Sequence, residues 1–374
     1  MKVQLSDVME GMKEGLTTKE LAAKYGVQES TIRNRKRQLV AKGFSPEHDM
    51  HKVAPEGFMV KGTSTLYGKD GKMKQQWVKT KTSPEEMAIL AREYLEGLNS
   101  QVERELPISG RKVSDAARDL LNLFPITDFH LGMLAWGEES GDDWDLNIAE
   151  KLATDWLEAA VARAPEAGTA VLANMGDFLH WDGMDAVTPS SGHVLDADSR
   201  FQKLVRVALR LIRKMINFLL STHEQVHVVM AEGNHDMASS VWLREGLRLI
   251  YEDNPRVSFD VNPDPYYCYE FGNTALYFHH GHKSRMDKVD TVFAGKFREI
   301  WGRTQHAYGH VGHLHHQKVL ETNLMVVEQH RTLAAKDAYA SRGGWLSGRA
   351  AAVITYHNQY GEYARAWVTP DMVK

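Results

Sequence analysis

Apolar residues recur along this chain in different rhythms, and the rhythm changes near residues 46 and 116. Residues 1–45 carry them at helical spacing, in three short bursts. The informative burst is Thr18 to Val40, TKELAAKYGVQESTIRNRKRQLV. Leu21 and Ala22 fall on the inner side of one helix, Ile32 and Leu39 on the inner side of the next. Gly26 stands between them, where a residue that takes the left-handed backbone cheaply can close a helix. Ser30 is placed to cap the second helix. Ala22, Gly26 and Ile32 have the spacing two helices need to pack across a tight turn, the pattern of the helix-turn-helix family.

Residues 46–57 are polar and contain Pro55, as a linker would. Two extended stretches follow, FMVKGTSTLY and KMKQQWVKTK, around Gly68-Lys69-Asp70-Gly71. This predicts a β-hairpin over 58–81. Ser83-Pro84-Glu85-Glu86 starts a helix expected over 84–102. From about residue 116, short apolar runs alternate with amphipathic helices, the pattern of an α/β domain. One helix, Ala197 to Leu220, packs Leu204, Val205, Ala208, Leu209, Ile212 and Ile216 on one face. Its other face carries Lys203, Arg206, Arg210, Arg213 and Lys214, read as solvated. The stretch Trp181 to Ser199 is expected at the rim of a site, with His193 in it. Two runs near the end, Ala350 to His357 and Tyr363 to Val368, should complete the sheets. The expected organisation is a helical module (1–45), a connecting region (46–115) and an α/β domain (116–374).

The 374 residues are 43% hydrophobic and 25% charged, with a net charge of −4, so the whole is not a basic nucleic-acid binder. Any such role must be local. Residues 1–45 carry nine Lys and Arg against five Asp and Glu, and Arg33, Arg35, Lys36 and Arg37 sit on the second helix of the pair. That helix suits a major groove, with DNA as the partner, or else a protein contact. The hairpin sets Lys61, Lys69, Lys72, Lys74, Lys79 and Lys81 against Asp70, with Tyr67 and Trp77 interleaved. It fits a nucleic-acid backbone or an edge guarded by lysines. Cys268 stands alone, which excludes a disulfide framework and a cysteine metal cluster. The first residues lack the apolar core of a signal peptide. No apolar run approaches the ~18 residues of a membrane span. A cytoplasmic protein without membrane contact is the expectation.

The chemistry sits where apolar runs end. The first run leads into Asp128-Phe129-His130, the second into Gly176-Asp177, and the third into Gly233-Asn234-His235-Asp236. The fourth leads into His279-His280-Gly281-His282, and last come His310, His313 and His315. Asp-x-His and His-x-His on extended backbone send both side chains to one side. Mixed carboxylate, imidazole and amide donors suit Mn, Fe, Co, Ni or Zn better than Mg or Ca.

Five blocks in this order, DFH, GD, GNHD, HG and GHLH, resemble the calcineurin-like metallophosphoesterases over roughly residues 120–320. The resemblance implies a β-sandwich flanked by helices and a site for two divalent transition metals, manganese first among them. It implies that Asp128, His130 and His315 hold one metal, Asn234, His280 and His313 the other, and that Asp177 bridges them. A hydroxide between the metals would then attack phosphorus, His235 would assist the leaving oxygen, and Asp236 would orient His235. His282 stands where the family often has an acid. Of the neighbours His279 and His280 only one can face the metals, and the His-Gly match favours His280. His310 and His316 are expected to support the site from behind or to lie on the surface.

Three functions compete. A DNA-directed phosphodiesterase or nuclease resembles the SbcD-type members, and its helix-turn-helix layout is similar to that of phage and prophage proteins. A phosphatase or small-nucleotide phosphodiesterase would use the N-terminal module for assembly. A DNA-binding protein with a purely structural metal would not need His235 beside the ligands.

Overall fold

The computed structural model describes residues 3–46, 50, 54, 58–68, 70, 73–82, 108, 112–189, 192–344 and 346–373. The chain divides into two compact units, Met1–Glu103 and Arg104–Lys374. The division falls inside the region expected to connect the two ends.

In the first unit, α1 (Leu5–Lys13), α2 (Thr18–Tyr25) and α3 (Glu29–Ala41) close on Val8, Leu21, Ala22, Ile32, Leu39 and Phe44. Thr17 and Glu20 start α2 with a reciprocal pair: Glu20 N donates to Thr17 Oγ1 (3.3 Å) and Thr17 N to Glu20 Oε2 (2.8 Å). Gly26 ends it at φ 63°, the left-handed region expected of a glycine there. The start of α3 differs from expectation. Gln28 occupies the cap, and Ser30 lies inside the first turn with its Oγ donating to Gln28 Oε1 (3.4 Å). Burying Ile32 and Leu39 fixes the phase of the helix but not its first residue.

The same unit holds the hairpin, β1 (Phe58–Tyr67) against β2 (Met73–Thr82), with Ser64 opposite Trp77. Tyr67 and Trp77 are half exposed. Lys69, Gly71, Lys72, the helix expected over 84–102 and most of the linker lie outside the described residues.

The second unit is a mixed α/β sandwich. One sheet has six strands in the order β13-β12-β3-β4-β5-β6: Gly361–Val368, Ala351–His357, Leu120–Ile126, Thr169–Asn174, Gln225–Met230 and Val257–Phe259. β3 to β6 run parallel, and the two C-terminal strands add antiparallel beside β3. The other sheet has five strands in the order β10-β11-β9-β8-β7: Lys318–Glu321, Val326–Gln329, His306–Val311, Thr274–Phe278 and Tyr267–Phe271. Within it, β11, β9 and β8 are parallel.

Alternate residues of each strand face the interior between the sheets. There Leu121, Leu123, Val171, Ala173 and Val229 meet Tyr267, Leu276 and Phe278, with Ile354 and Tyr356 beside them. Residues of opposite parity on the six-stranded sheet pack against helices, so these parallel strands are buried on both faces and read as largely apolar runs, interrupted by Asn122 and His227. Phe124 meets Trp156 of α4 (Leu146–Arg163) edge-on at 6.4 Å. α5 (Phe201–Thr222) buries the apolar stripe read from the sequence, and its Arg210 forms a paired contact with Glu150 of α4 (2.8 and 2.6 Å).

The start of α5 is four residues later than the pattern suggests. Ala197 bridges to Met133, and Asp198 N donates to Gly132 O while its carboxylate accepts from Leu146 N. These ties hold residues 197–198 extended. Among the described residues no helix is long and apolar enough to cross a membrane.

Candidate metal centre

Every predicted ligand stands just past the C-terminal end of a parallel strand. β3 delivers Asp128 and His130, β4 Asp177, β5 Asn234 and His235, β8 His280, and β9 His313 and His315. This edge is where open α/β sheets place their sites. The backbone there is strained. Among the described residues the non-glycine positions with positive φ are Asp128 (51°), His130 (46°), Asp177 (52°), His313 (74°) and His315 (55°). Such conformations cost roughly 1–3 kcal/mol each and persist where the surroundings fix them. All five belong to the predicted ligand set.

The loops also come very close to one another. A Cβ on Gly233 would collide with Asp177, and one on Gly312 with Thr127 and Asp128. Glycine at these positions lets the β5 and β9 loops close on the carboxylates.

Two groups of donors result, each with its atoms within 4.8 Å of one another: Asp128, His130 and His315, and Asp128, Asp177, His280 and His313. Asp128 is common to both, and Asp177 belongs to the second. Asp177 Oδ1 accepts from His235 N (2.7 Å), which leaves its Oδ2 to face His280 Nε2 (3.1 Å). Asp128 Oδ2 accepts from Thr127 Oγ1 (2.6 Å) and His313 N (2.8 Å). Its Oδ1 is buried without a hydrogen-bond partner, and His315 Nε2 lies 3.2 Å away in poor alignment.

His280 carries the clearest signal. Its Nδ1 faces Met175 O at 2.9 Å and must donate, since a carbonyl only accepts. Its Nε2 then faces three oxygens: Asp177 Oδ2, Asn234 Oδ1 (3.2 Å) and Asp128 Oδ1 (3.9 Å). In a neutral ring that nitrogen is a lone pair aimed at acceptors. A proton or a metal ion between them removes the repulsion. Burial pulls the imidazole down, but Asp177 and Asp128 outweigh it and raise its pKa to about 9. Burial likewise pushes both carboxyls up, and the adjacent imidazoles, His315 and His280 for Asp128 and His280 for Asp177, hold them well below the usual range. The buried unpaired oxygen and the mixed donor set fit divalent cations of the transition series.

His235 and Asp236 do not act on each other as expected. His235 Nδ1 donates to the main-chain oxygen of His180 (2.8 Å), which leaves Nε2 as the free nitrogen. Asp236 turns inward and accepts from the backbone N–H groups of Asp177, Phe178, Leu179 and Gly233 at 2.8–3.1 Å. It therefore holds the Asp177 turn against the Gly233 turn, and the His180 carbonyl orients His235. His180 went unread in the sequence, although it follows Asp177 by three residues. Its ring is buried, stacks on His235 at 5.8 Å, and lies 3.3 Å from His130 (Nδ1 to Nδ1). Burial lowers its pKa to about 3.

The other histidines separate clearly. His279 faces away from the carboxylates and stacks on Tyr266 at 4.4 Å. His282 lies beside His280 and His313, with ring centroids at 5.2 and 6.4 Å. His310 is fully buried between the sheets, and His316 and His193 are exposed. In the first unit, Arg33 and Arg37 are exposed on α3. Arg35 reaches Gln38 (3.1 Å), and Lys36 turns back to the Leu16 carbonyl (3.3 Å), away from an outward-facing row of cations.

The sequence matches no protein-family model and no curated protein. Among solved structures, the chain is similar to a predicted phosphoesterase from Streptococcus pneumoniae TIGR4, at 13% identity over 67% of this chain and 91% of that one (TM-score 0.30). It is similar to an archaeal phosphodiesterase at 14% identity over 66% and 99% (TM-score 0.34). A third is a putative 5'-nucleotidase from Staphylococcus aureus, at 9% identity over 67% and 54% (TM-score 0.33).

Proposed function

We propose that this chain is a metal-dependent phosphoester hydrolase, and that its substrate is DNA. The observation that carries the reading is the His280 nitrogen facing three oxygens, beside a second donor group that shares Asp128. Asp128, His130 and His315 would hold one divalent ion, and Asn234, His280 and His313 the other, with Asp177 between them. The resemblance of the five sequence blocks to metallophosphoesterases supports the same assignment. When bound, the ions supply Lewis acidity toward a phosphoryl group and toward water.

The chain's own residues supply orientation and a proton. The His180 carbonyl fixes the Nδ1–H tautomer of His235, so a proton gained by that ring sits on Nε2. From there it passes to the leaving oxygen as the ester bond breaks. Asp236 keeps the two turns in register through its four N–H contacts. The choice of DNA rests on α3, whose exposed Arg33 and Arg37 flank Asn34 on a helix of a length suited to a major groove.

The test is one panel with Mn²⁺: single- and double-stranded DNA, a small phosphodiester and a phosphomonoester. DNA cleavage is expected. His235→Ala should lower it by about 10²–10⁴-fold while Mn²⁺ binding stays intact. Turnover of the small esters with no cleavage of any DNA would leave a phosphatase or nucleotide phosphodiesterase instead.

A further inference from the structure

A pocket of about 410 Å³ opens beside the centre on the side of His280 and His313, and His313 forms part of its wall. His235 belongs to the other flank, in contact with His130 and His180. Any occupant therefore lies next to the phosphoryl position, on the side away from the proton donor. The volume is within the ~300–1,000 Å³ range of small-molecule sites.

The lining is chemically mixed. Met286 and the exposed Leu314 offer apolar surface. Arg285 is matched by Asp287 at 3.1 and 3.2 Å, so that pair adds no net charge. Lys318 is exposed, on the edge strand β10, and has no acidic partner among the described residues. His316 donates through Nδ1 to the Leu314 carbonyl (2.9 Å), which leaves Nε2 available. A cation, apolar surface and the available His316 nitrogen beside a phosphoryl position suit a planar organic group that carries phosphate.

We propose that this pocket seats a nucleotide unit on the side of the scissile phosphorus away from His235, its base against Met286 and Leu314 and its further phosphate at Lys318. The inference rests on the phosphoester reading for the location of the phosphorus, but it assigns a binding site that can be tested without turnover. The nucleotide can be free or part of a strand, and two probes separate these sources.

The experiment measures binding of thymidine 5'-monophosphate and of a short oligothymidylate to the full chain by calorimetry. Lys318→Glu should weaken binding by about tenfold, and Lys318→Arg should restore it. Lys318-dependent binding of the oligonucleotide alone assigns the pocket to a strand, and of both probes to a nucleotide unit from either source. In steady-state assays Lys318→Glu should raise KM for a dinucleotide and leave bis(4-nitrophenyl) phosphate unaffected. Equal binding by wild type and Lys318→Glu, or an equal loss with bis(4-nitrophenyl) phosphate, overturns the proposal. Lys318-dependent binding without turnover of any ester would retain the pocket and remove the hydrolase reading.

Discussion

Among the described residues two clusters bring histidines and carboxylates within 4.8 Å, and they are built to opposite ends. At the strand-end centre, Asp128 Oδ1 has no hydrogen-bond partner and His280 Nε2 faces three oxygens. The second cluster is His310, Glu328 and His330, between the sheets. There, His310 Nδ1 meets His330 Nε2 at 2.9 Å, and His310 Nε2 meets the Tyr356 hydroxyl at 3.2 Å. Neutral rings satisfy that chain with one proton each. Glu328 accepts from the two terminal guanidinium nitrogens of Arg365, at 2.6 and 2.8 Å, and Glu362 accepts from its Nε at 2.9 Å. None of His310, Glu328, His330, Tyr356 and Arg365 has a buried side-chain nitrogen or oxygen lacking a partner. Burial and proximity are common to both. What separates a metal site from a structural network is donor atoms left unsatisfied, and a cation already paired to the carboxylate tells against another one.

The largest expected effect tests that difference directly. Asp128→Asn removes the carboxylate charge common to both donor groups. Mn²⁺ affinity should fall by more than about 100-fold, since losing even a hydrogen bond that supports a ligand costs about 10–100-fold. Calorimetric titration of Mn²⁺ checks it. A loss in Glu328→Gln with none in Asp128→Asn would place the metal in the sealed cluster and reverse the comparison.

The five ligand blocks were legible because each is local: a buried strand, a sharp turn, and a donor within a few residues. β3, β4 and β5 were legible for the same reason, as short apolar runs. What the sequence did not reveal are contacts between distant segments. Asp236 and the Phe178 N–H it accepts from are 58 residues apart, and His235 lies 55 from the His180 carbonyl. No spacing rule distinguishes an aspartate that orients a neighbour from one that ties two turns together. His310 shows the same limit. It lies three residues before a ligand, yet strand alternation points it between the sheets, toward partners 20 and 46 residues away.

A smaller effect is expected within the sealed cluster. Glu328→Gln should leave Mn²⁺ affinity unchanged and reduce stability by about 1–3 kcal/mol, because a half-buried guanidinium loses one of its two charged partners and keeps Glu362. At about 2–4 °C per kcal/mol for a domain of this size, the melting point should fall measurably. The variant should also change the pH profile. Burial pushes the Glu328 carboxyl up, but His330 and Arg365 outweigh it and hold it at about 2, below its ordinary 4.5. A depressed carboxylate stabilises the fold in full above 4.5, and that contribution is lost as pH falls through about 2. His310 and His330 are lowered from 6.5 by burial, so their contribution is full above 6.5 and is also lost on acidification. The contribution of this cluster should therefore weaken below about pH 6.5 and again below 4.5. Melting points measured with a chelator across pH 3–8 should lose only the lower step in Glu328→Gln.

The smallest effect separates the clusters most finely. Tyr356→Phe removes one hydroxyl from a fully buried ring and keeps its packing against Tyr308, at 4.8 Å between centroids. The His310 Nε2 it leaves behind has no other partner among the described residues, so the expected cost is about 1 kcal/mol, the net worth of one buried hydrogen bond. His310 stands on β9, the strand that ends in His313 and His315. If the sealed network only holds the sheets together, the loss appears as a lower melting point with an unchanged Mn²⁺ affinity. If it also sets the position of the ligands at the end of β9, affinity falls with it. The chain His330–His310–Tyr356 runs across the sandwich rather than along β9, and the ligand loop is fixed separately by the His313 N–H to Asp128 (2.8 Å). Unchanged affinity is therefore the expected result, and a drop would join the two clusters into one device.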